Sequence, residues 1–253
     1  MIKQIARAIS PAPVRAAVSQ WRKREKFYWS WARAAAAAKG DYSGGDLTRF
    51  RVERSRQIIG KEEEFVDPSP ELLSTLNAAS GRFVDLGGSA GEACAVLQRK
   101  FPAWSFAVVE TEAMASAARG LRPSISFLDE MPDQFDVFYS SGTLQYLGNP
   151  EEVWRQALSR TTRFAYLARN AFSKRKRFTV QTSRLFDNGA GPIPAGFDDM
   201  PISYPHQTLS ESKMIKIAAK AGFELIARVA DRNGGVTGTN GKVYGADLLF
   251  RRI

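Results

Sequence analysis

The residues best suited to chemistry lie in one short segment, between Asp85 and Gly91. Gly87, Gly88 and Gly91 allow the backbone to turn tightly and to approach a ligand, and the helix predicted to follow would present unpaired N–H groups. A carboxylate at the mouth of this loop would repel a diphosphate but would complement an ammonium or a sulfonium group. Asp85 therefore favours a cationic ligand over a dinucleotide.

A second acid, Glu110, lies 19 residues after Gly91 (110 − 91), at the end of the next predicted strand. This position suits a side chain that accepts hydrogen bonds from the two hydroxyls of a ribose. S-adenosylmethionine carries an ammonium, a sulfonium and a ribose, so it is the cofactor that the two acids together predict. The alternative is a tight structural turn beside a solvated strand end, because a glycine loop alone is weak evidence.

The candidate residues for the reaction itself surround the only histidine, His206. It lies two residues after Tyr204 and follows residues 172–203, which we predict to be an irregular stretch that forms a lid or a substrate-binding wall. A histidine there could take the proton from a hydroxyl acceptor. Gln145 and Tyr146, together with the tyrosine, are further polar candidates. The alternative is a histidine without a chemical role.

Basic residues near this stretch could bind an anionic group. Lys174–Arg177 is a run of four basic residues that could contact phosphate on a nucleotide-sugar, on a lipid-linked glycan or on RNA. The same run could equally be solvated without a partner. Arg169 could pair with an anionic substrate or cap the end of a strand.

Composition excludes several classes of protein. Of the 253 residues, 44% are apolar and 25% are charged, which is enough for a real core and excludes a disordered chain. The single cysteine, Cys94, cannot form an internal disulfide, and a single histidine cannot build a multi-histidine metal site. No apolar run approaches the ~18 residues of a membrane-spanning helix, and the N-terminal region lacks an uninterrupted signal-peptide core. We therefore expect a cytoplasmic protein.

The positive charge is concentrated near the N-terminus. Residues 1–60 hold 13 basic and 4 acidic residues, a net of +9, which leaves 23 basic and 22 acidic residues, a net of +1, for the rest. A neutral body argues against a general nucleic-acid binder. Val14–Ala38 is predicted to form one helix with a basic stripe beside an aromatic one. This helix could lie on an anionic membrane surface at the inner face or bind an acidic partner, or its aromatic side could pack on the main domain.

From residue 82 onward, predicted strands alternate with predicted helices, which indicates a parallel sheet covered on both faces. The last two strands are joined by residues 233–242 without a helix, so we expect an antiparallel C-terminal hairpin at one edge. The expected fold is α/β: a Rossmann-like, mostly parallel seven-stranded sheet with helices on both faces in residues 81–253, after a basic helical extension in residues 1–80. The predicted strands are 82–86, 105–110, 124–128, 135–139, 164–168, 224–230 and 245–251, and predicted helices include 47–61, 71–79, 112–119, 150–160 and 209–221.

Several motifs carry a resemblance to a known family. Val84–Gly91 together with Phe106–Glu110 resembles the cofactor half of class I S-adenosylmethionine-dependent methyltransferases. A closer resemblance is to an uncharacterised bacterial methyltransferase family often found among surface-polysaccharide genes, and it spans the chain from about residue 27 to the end. The motifs that carry it are this glycine loop, Tyr28–Trp31, Gly40–Tyr42, Ser141–Leu147 and Ser203–Pro205.

This resemblance implies further site residues. Asp129, after the third strand, would accept a hydrogen bond from the adenine amino group, and Ser140 and Ser141 would line the methionine end of the cofactor. The segment Ser140–Thr143 lacks the Asn/Asp-Pro-Pro-aromatic motif of enzymes that methylate adenine or amide nitrogen. Cys94 lies in the helix after the glycine loop, away from the position of the nucleophile in cytosine-C5 enzymes, so its expected role is packing.

The residues after the fourth and fifth predicted strands bear on metal dependence. The metal-dependent catechol type needs aspartates after strands four and five, where this chain has Ser140 and Arg169–Asn170, so we predict no Mg²⁺. The remaining possibilities are metal-independent transfer to a hydroxyl, to an amine or to a carboxylate, and of these we expect O-methylation of a small molecule or a glycan. The alternatives are an RNA-modifying methyltransferase or RNA-binding protein, and a non-catalytic protein that retains the cofactor fold.

Overall fold

In the part of the chain that the structure describes, nine strands form two sheets. The computed structural model of the chain describes residues 26–38, 40, 44–230 and 243–253. The strands are β1 Gly81–Leu86, β2 Trp104–Val109, β3 Ile125–Leu128, β4 Phe135–Ser141, β5 Thr161–Ser173, β6 Phe178–Arg184, β7 Pro201–Gln207, β8 Phe223–Ala230 and β9 Val243–Arg252.

The large sheet has seven strands in the order β3-β2-β1-β4-β5-β9-β8. Strands β1 to β5 run parallel to one another, and β9 is antiparallel to both of its neighbours, β5 and β8. The predicted hairpin of the last two strands is thus present, although β9 lies inside the sheet and β8 forms the edge. The predicted connection at 233–242 lies outside the described residues. The predicted fold class is confirmed.

Helices cover both faces because the strands are apolar on both faces. In β1, Phe83 and Val84 point to opposite sides, and each is only 1% exposed. The core around Phe83 is covered by helices before and after β2, and the core around Val84 is covered by the helices that flank β5 along the chain. The helices are α1 Trp31–Ala37, α2 Gly45–Arg56, α3 Pro70–Ser74, α4 Glu92–Lys100, α5 Glu112–Ala118, α6 Pro150–Arg160 and α7 Glu211–Lys220.

The segment after β5 corrects one prediction. We expected residues 172–203 to be irregular, but β5 continues to Ser173, and β6 pairs with β7 in an antiparallel two-stranded sheet. Both ends of this hairpin leave the large sheet at one point, because Ser173 N–H donates to Leu209 O at 3.0 Å and Leu209 N–H donates to Ala171 O at 2.8 Å. Pairing between backbones distant in sequence, which leaves little local pattern, therefore forms β6.

The helix predicted over Val14–Ala38 is also corrected. Its first part, 14–25, lies outside the described residues, and the rest does not form one continuous helix. Tyr28 N–H donates to Phe178 O at 2.8 Å, which holds the chain extended there. Ser30 is extended, with φ −151°, and its Oγ accepts from Arg33 N–H at 3.3 Å, so it caps α1. A serine that caps a helix start and a residue paired to a strand both interrupt a preceding helix.

Candidate cofactor and acceptor site

The glycine loop lies at the carboxyl end of β1, where the strand order reverses. On one side of β1 the chain continues to β2 and β3, and on the other side β4 and β5 follow, so a crevice opens between β1 and β4. Gly87 and Gly91 have φ +77° and +83°, a region that favours glycine. A Cβ on Gly87 would lie 2.6 Å from Thr143 Cγ2, so the loop passes directly against the segment that follows β4.

Asp85 is the last inward-facing residue before the loop and is only 2% exposed. Its carboxyl group makes no hydrogen bond with the described part of the chain, and a Cβ on Gly88 would lie 2.6 Å from its Cγ. Burial, together with the negative charges of Glu110 and Glu92, raises the pKa of Asp85 to about 8. A buried carboxyl group without a partner, among other acids, is a site that a cation would stabilise.

Glu110 is fixed at the end of β2. Its Oε1 accepts from Ser89 N–H at 3.0 Å and its Oε2 accepts from Thr111 N–H at 3.1 Å. Each carboxylate oxygen can accept a second hydrogen bond, so the half-buried Glu110 retains acceptor capacity at the crevice. The structure thus places Glu110 beside the glycine loop, as the spacing predicts.

The other predicted cofactor residues differ in position. Asp129 is exposed directly after β3, next to the strand that Glu110 follows. Ser140 is fully buried, and its hydroxyl donates to Leu86 O at 3.2 Å, which ties β4 to β1. Ser141 is half-buried at the end of β4 and hydrogen-bonds the Tyr139 hydroxyl. Ser141 and Asp129 therefore present side chains at the crevice edge, whereas the Ser140 hydroxyl is used within the sheet.

An aromatic cluster brings three of the predicted acceptor-side residues together. The Tyr146 ring lies 5.3 Å from the Tyr204 ring and 5.4 Å from the His206 ring, measured between centroids. Tyr146 belongs to a short 3₁₀ helix, Leu144–Tyr146, which begins one residue after Thr143. Because Thr143 packs on the glycine loop, the cluster lies one helical turn from the cofactor crevice.

Each member of the cluster has a defined environment. Burial lowers the pKa of His206 to about 4, so the imidazole is neutral at pH 7, and its Nδ1 lies 3.2 Å from Thr179 Oγ1. The Tyr146 hydroxyl donates to Gln181 Oε1 at 3.0 Å, and the Tyr204 hydroxyl donates to Ser183 Oγ at 3.2 Å. A neutral imidazole can accept a proton, but a conjugate acid with a pKa of about 4 makes it a weak base.

Gln145 fixes the position of the 3₁₀ helix through a hydrogen bond to β5. It is buried, and its Oε1 accepts from Ala171 N–H at 2.7 Å, which joins the 3₁₀ helix to β5. The structure places Gln145 as a link between the 3₁₀ helix and β5, not as an exposed polar group at the crevice.

A residue that sequence reasoning missed, Arg122, holds the glycine loop in place. Its guanidinium donates to Ala90 O at 2.6 Å and to Ser55 Oγ at 3.0 Å, and it pairs with Glu62 at 3.0 Å. Arg122 and Glu62 side chains are only 4% and 2% exposed, so this is a buried ion pair. Sixty residues separate the two (122 − 62), and no local pattern in the sequence could have indicated it.

Within residues 26–38, 40, 44–230 and 243–253, no group of three or more His, Cys, Asp or Glu side chains is arranged to hold a metal ion. A shallow depression of about 580 Å³ is lined by residues such as Gly81, Ser105 and Asp136, at the amino ends of the strands. It lies at the opposite edge of the sheet from the glycine loop, so we do not assign it to the cofactor.

Comparisons with known proteins find similarity among solved structures only. No protein-family model and no curated protein matches the sequence. CalS10 bound to S-adenosylmethionine, an amino pentose methyltransferase from Micromonospora echinaspora, is 13% identical over 91% of this chain and 100% of its own, with a TM-score of 0.48. The glycopeptide N-methyltransferase MtfA is 13% identical over 72% of this chain and 88% of its own, with a TM-score of 0.48.

A third structure, an S-adenosylmethionine-dependent methyltransferase from Methanosarcina mazei, is 12% identical over 74% of this chain and 99% of its own, with a TM-score of 0.48. At these identities and TM-scores, similarity assigns neither a ligand nor a reaction to this chain.

Proposed function

We propose that this protein is an S-adenosylmethionine-dependent methyltransferase of the class I type. The observation that carries the proposal is the Asp85 carboxyl group, which is 2% exposed, lacks a hydrogen-bond partner in the described residues and lies against Gly88 in the loop. The positively charged amino-acid end of the cofactor would supply the missing partner. Glu110, held by two backbone N–H groups, would accept the ribose hydroxyls.

The remaining cofactor residues take roles that follow from their positions. The backbone at Gly87, Gly88 and Gly91 would approach the cofactor closely because no side chain intervenes. Asp129, exposed after β3, would accept from the adenine amino group, and Ser141 would line the methionine end. Ser140 would act at that end through the β1–β4 tie that its hydroxyl makes.

The proposed reaction is metal-independent methylation of a hydroxyl on a small molecule or a glycan. When bound, the cofactor supplies an electrophilic methyl group on a sulfonium. Tyr146, Tyr204 and His206 would form the wall that orients the acceptor hydroxyl toward this methyl group. The Tyr204 and His206 rings both lie within 5.4 Å of the Tyr146 ring, measured between centroids. The hydroxyl must lose its proton as the new O–C bond forms, and neutral His206 is the group proposed to take it. Gln145 would keep the 3₁₀ helix in position.

We also propose that the protein works in the cytoplasm at an anionic membrane surface, with residues 1–80 as a basic attachment to the domain 81–253. In the described part of the chain, no helix is long and apolar enough to cross a bilayer. A basic and aromatic surface supports peripheral binding instead: Lys174, Arg175 and Lys176 are exposed, and Trp29 is 90% exposed. Surface-polysaccharide synthesis is the proposed context.

Calorimetry tests the cofactor assignment directly. S-adenosylmethionine and its demethylated product, S-adenosylhomocysteine, are titrated into the protein. We expect micromolar dissociation constants for both, and Asp85→Ala should weaken binding at least tenfold. If neither ligand binds in the millimolar range or better, the proposed cofactor is wrong.

Vesicle sedimentation tests the membrane proposal. We expect binding to phosphatidylglycerol vesicles but not to phosphatidylcholine vesicles, and Trp29→Ser should reduce it. The matched control is Ile193→Ser, because Ile193 is 50% exposed but does not lie beside a basic run. Equal binding to both vesicle types, or salt-dependent binding to RNA alone, would contradict this proposal.

A further inference from the structure

The strand β5 contains a bulge beside the cofactor crevice. Its register with β9 shifts between Leu167 and Asn170, and Arg169 has φ +55°. A residue with a Cβ rarely adopts this left-handed region because the side chain crowds the backbone. Bulges are frequent next to active sites, where they redirect a side chain.

The surrounding residues hold this strained backbone from three sides. Arg169 N–H donates to Asp247 Oδ1 at 2.7 Å, and the Tyr166 hydroxyl donates to Asp247 Oδ2 at 3.2 Å. Asn170 is fully buried, and its Nδ2 donates to the carbonyl oxygen two residues earlier at 2.9 Å. The next residue, Ala171, donates its N–H to Gln145. A strained conformation that its neighbours fix in this way is a candidate for function.

The bulge places Arg169 at the crevice. Gly142 follows β4, and a Cβ there would lie 3.5 Å from the Arg169 carbonyl oxygen and 3.9 Å from its Cβ. Burial raises the pKa of Tyr139, with the charge of Asp85 adding to this, whereas the charge of Arg169 lowers it. Asp85 on β1 and Arg169 on β5 therefore both lie near the hydroxyl of Tyr139, which is on the strand between them.

Within the residues that the structure describes, the Arg169 guanidinium has no partner. The residue is exposed, and the side chain makes no hydrogen bond or ion pair with the part of the chain that the structure describes. Several other arginines are paired with carboxylates: Arg99, Arg122, Arg155, Arg184, Arg228 and Arg251.

We propose that Arg169 binds an anionic group of the methyl acceptor, a phosphate or a carboxylate, next to the transferred methyl group. This inference rests on the proposed function and narrows its acceptor to an anionic compound. A guanidinium presents two parallel N–H groups that match either anion. The bulge would therefore direct the Arg169 guanidinium into the crevice, and Asp247 would hold the bulge in place.

The test measures anion binding and cofactor binding separately. Inorganic phosphate is titrated into the full chain at constant ionic strength, with and without saturating S-adenosylhomocysteine, and binding is followed by NMR. Arg169→Gln should weaken phosphate binding at least tenfold and change the dissociation constant of S-adenosylhomocysteine by less than twofold. Arg119→Gln, at an exposed arginine directly after α5 and outside both proposed sites, is the matched control and should leave both constants unchanged.

A second variant separates function from folding. Arg169→Gly relieves the strain at φ +55°, so it should raise the melting temperature while it abolishes phosphate binding. Equal phosphate binding by the wild type and Arg169→Gln would overturn the proposal. So would a loss of S-adenosylhomocysteine affinity alone, because Arg169 would then bind the cofactor's own carboxylate. A wild type that binds phosphate through Arg169 but not S-adenosylhomocysteine would keep the anion site and overturn the proposed cofactor.

Discussion

The Asp85 side chain lies so close to Gly88 that a single methyl group cannot fit between them. A Cβ on Gly88 would lie 2.6 Å from Asp85 Cγ, and the backbone of Gly88 is not in the left-handed region. Alanine is therefore compatible with the backbone at this position, and any effect of it must act through the aspartate.

We predict that Gly88→Ala displaces the Asp85 carboxyl group and weakens S-adenosylhomocysteine binding at least tenfold, as measured by calorimetry. Gly45→Ala is the control, because a Cβ there meets nothing within 4 Å. Circular dichroism should show that both variants are folded. Unchanged affinity in Gly88→Ala would remove Asp85 from the cofactor site.

The affinity for S-adenosylmethionine should rise with pH. Because burial and two nearby acids raise the pKa of Asp85 to about 8, the ligand-free protein carries a proton there at pH 7. A bound cation favours the carboxylate form of Asp85, so binding releases this proton. The affinity should therefore rise by up to about tenfold per pH unit between pH 5.5 and 7.5. Calorimetry in two buffers of different ionisation enthalpy measures the released proton directly. Affinity that is flat across this range would contradict the prediction.

The same group should reduce stability in the absence of ligand. Between pH 3.8 and about 8 the folded state keeps the Asp85 proton that the unfolded chain has lost, so stability falls as pH rises through this window. At pH 7.5, Asp85→Asn should therefore raise the free energy of unfolding, by on the order of 1–3 kcal/mol. Urea unfolding measures this, with exposed Asp129→Asn as the control. A lower free energy of unfolding for Asp85→Asn than for the wild type would contradict this prediction.

His206 can be observed directly because it is the only histidine. Since burial lowers its pKa to about 4, its ring resonances in NMR should not titrate between pH 5.5 and 8.5. The unfolded chain binds a proton on this residue below about pH 6.5, so His206 should also decrease stability as pH falls from 6.5 toward 4. A titration midpoint near pH 6.5 would mean that the imidazole is open to solvent. The pH dependence of the methylation rate would then show a transition near pH 6.5.

The buried ion pair beneath the glycine loop should matter far more than pairs at the surface. Glu62→Gln leaves the charge of Arg122 without its buried counter-ion, and we expect a loss of about 3 kcal/mol in the free energy of unfolding. Glu152→Gln breaks an exposed pair with Arg155 and should change the free energy of unfolding by less than about 0.5 kcal/mol. Chemical denaturation compares the two, and equal effects would show that burial does not govern this pair.

The elements that were predicted correctly have local signals. Strand β1 follows from an apolar run before a glycine loop, and its observed bounds agree with the predicted 82–86 within one residue. Helix α4 begins directly after the loop, where a helix is predicted. The position of Glu110 beside the loop also follows, because it depends only on the spacing of two adjacent strands. These features need no knowledge of distant contacts.

The features that were missed depend on distant contacts. Strand β6 exists because β7 and Tyr28 pair with its backbone. Arg122 is important because Ser55 and Glu62 meet it from the N-terminal part of the chain. Hydrogen bonds of this kind form between residues that the sequence places far apart, so single-sequence patterns cannot reveal them.

The hairpin of β6 and β7 leaves and rejoins the large sheet at neighbouring backbone positions, since Ser173 and Leu209 are hydrogen-bonded to each other. Both ends of the hairpin therefore lie at one point of the large sheet. The hairpin carries Tyr204 and His206, whereas the glycines of the loop lie in another part of the chain. Under the proposed function, exchange of this hairpin between related chains would change which acceptor is methylated and would leave the cofactor-binding residues unchanged.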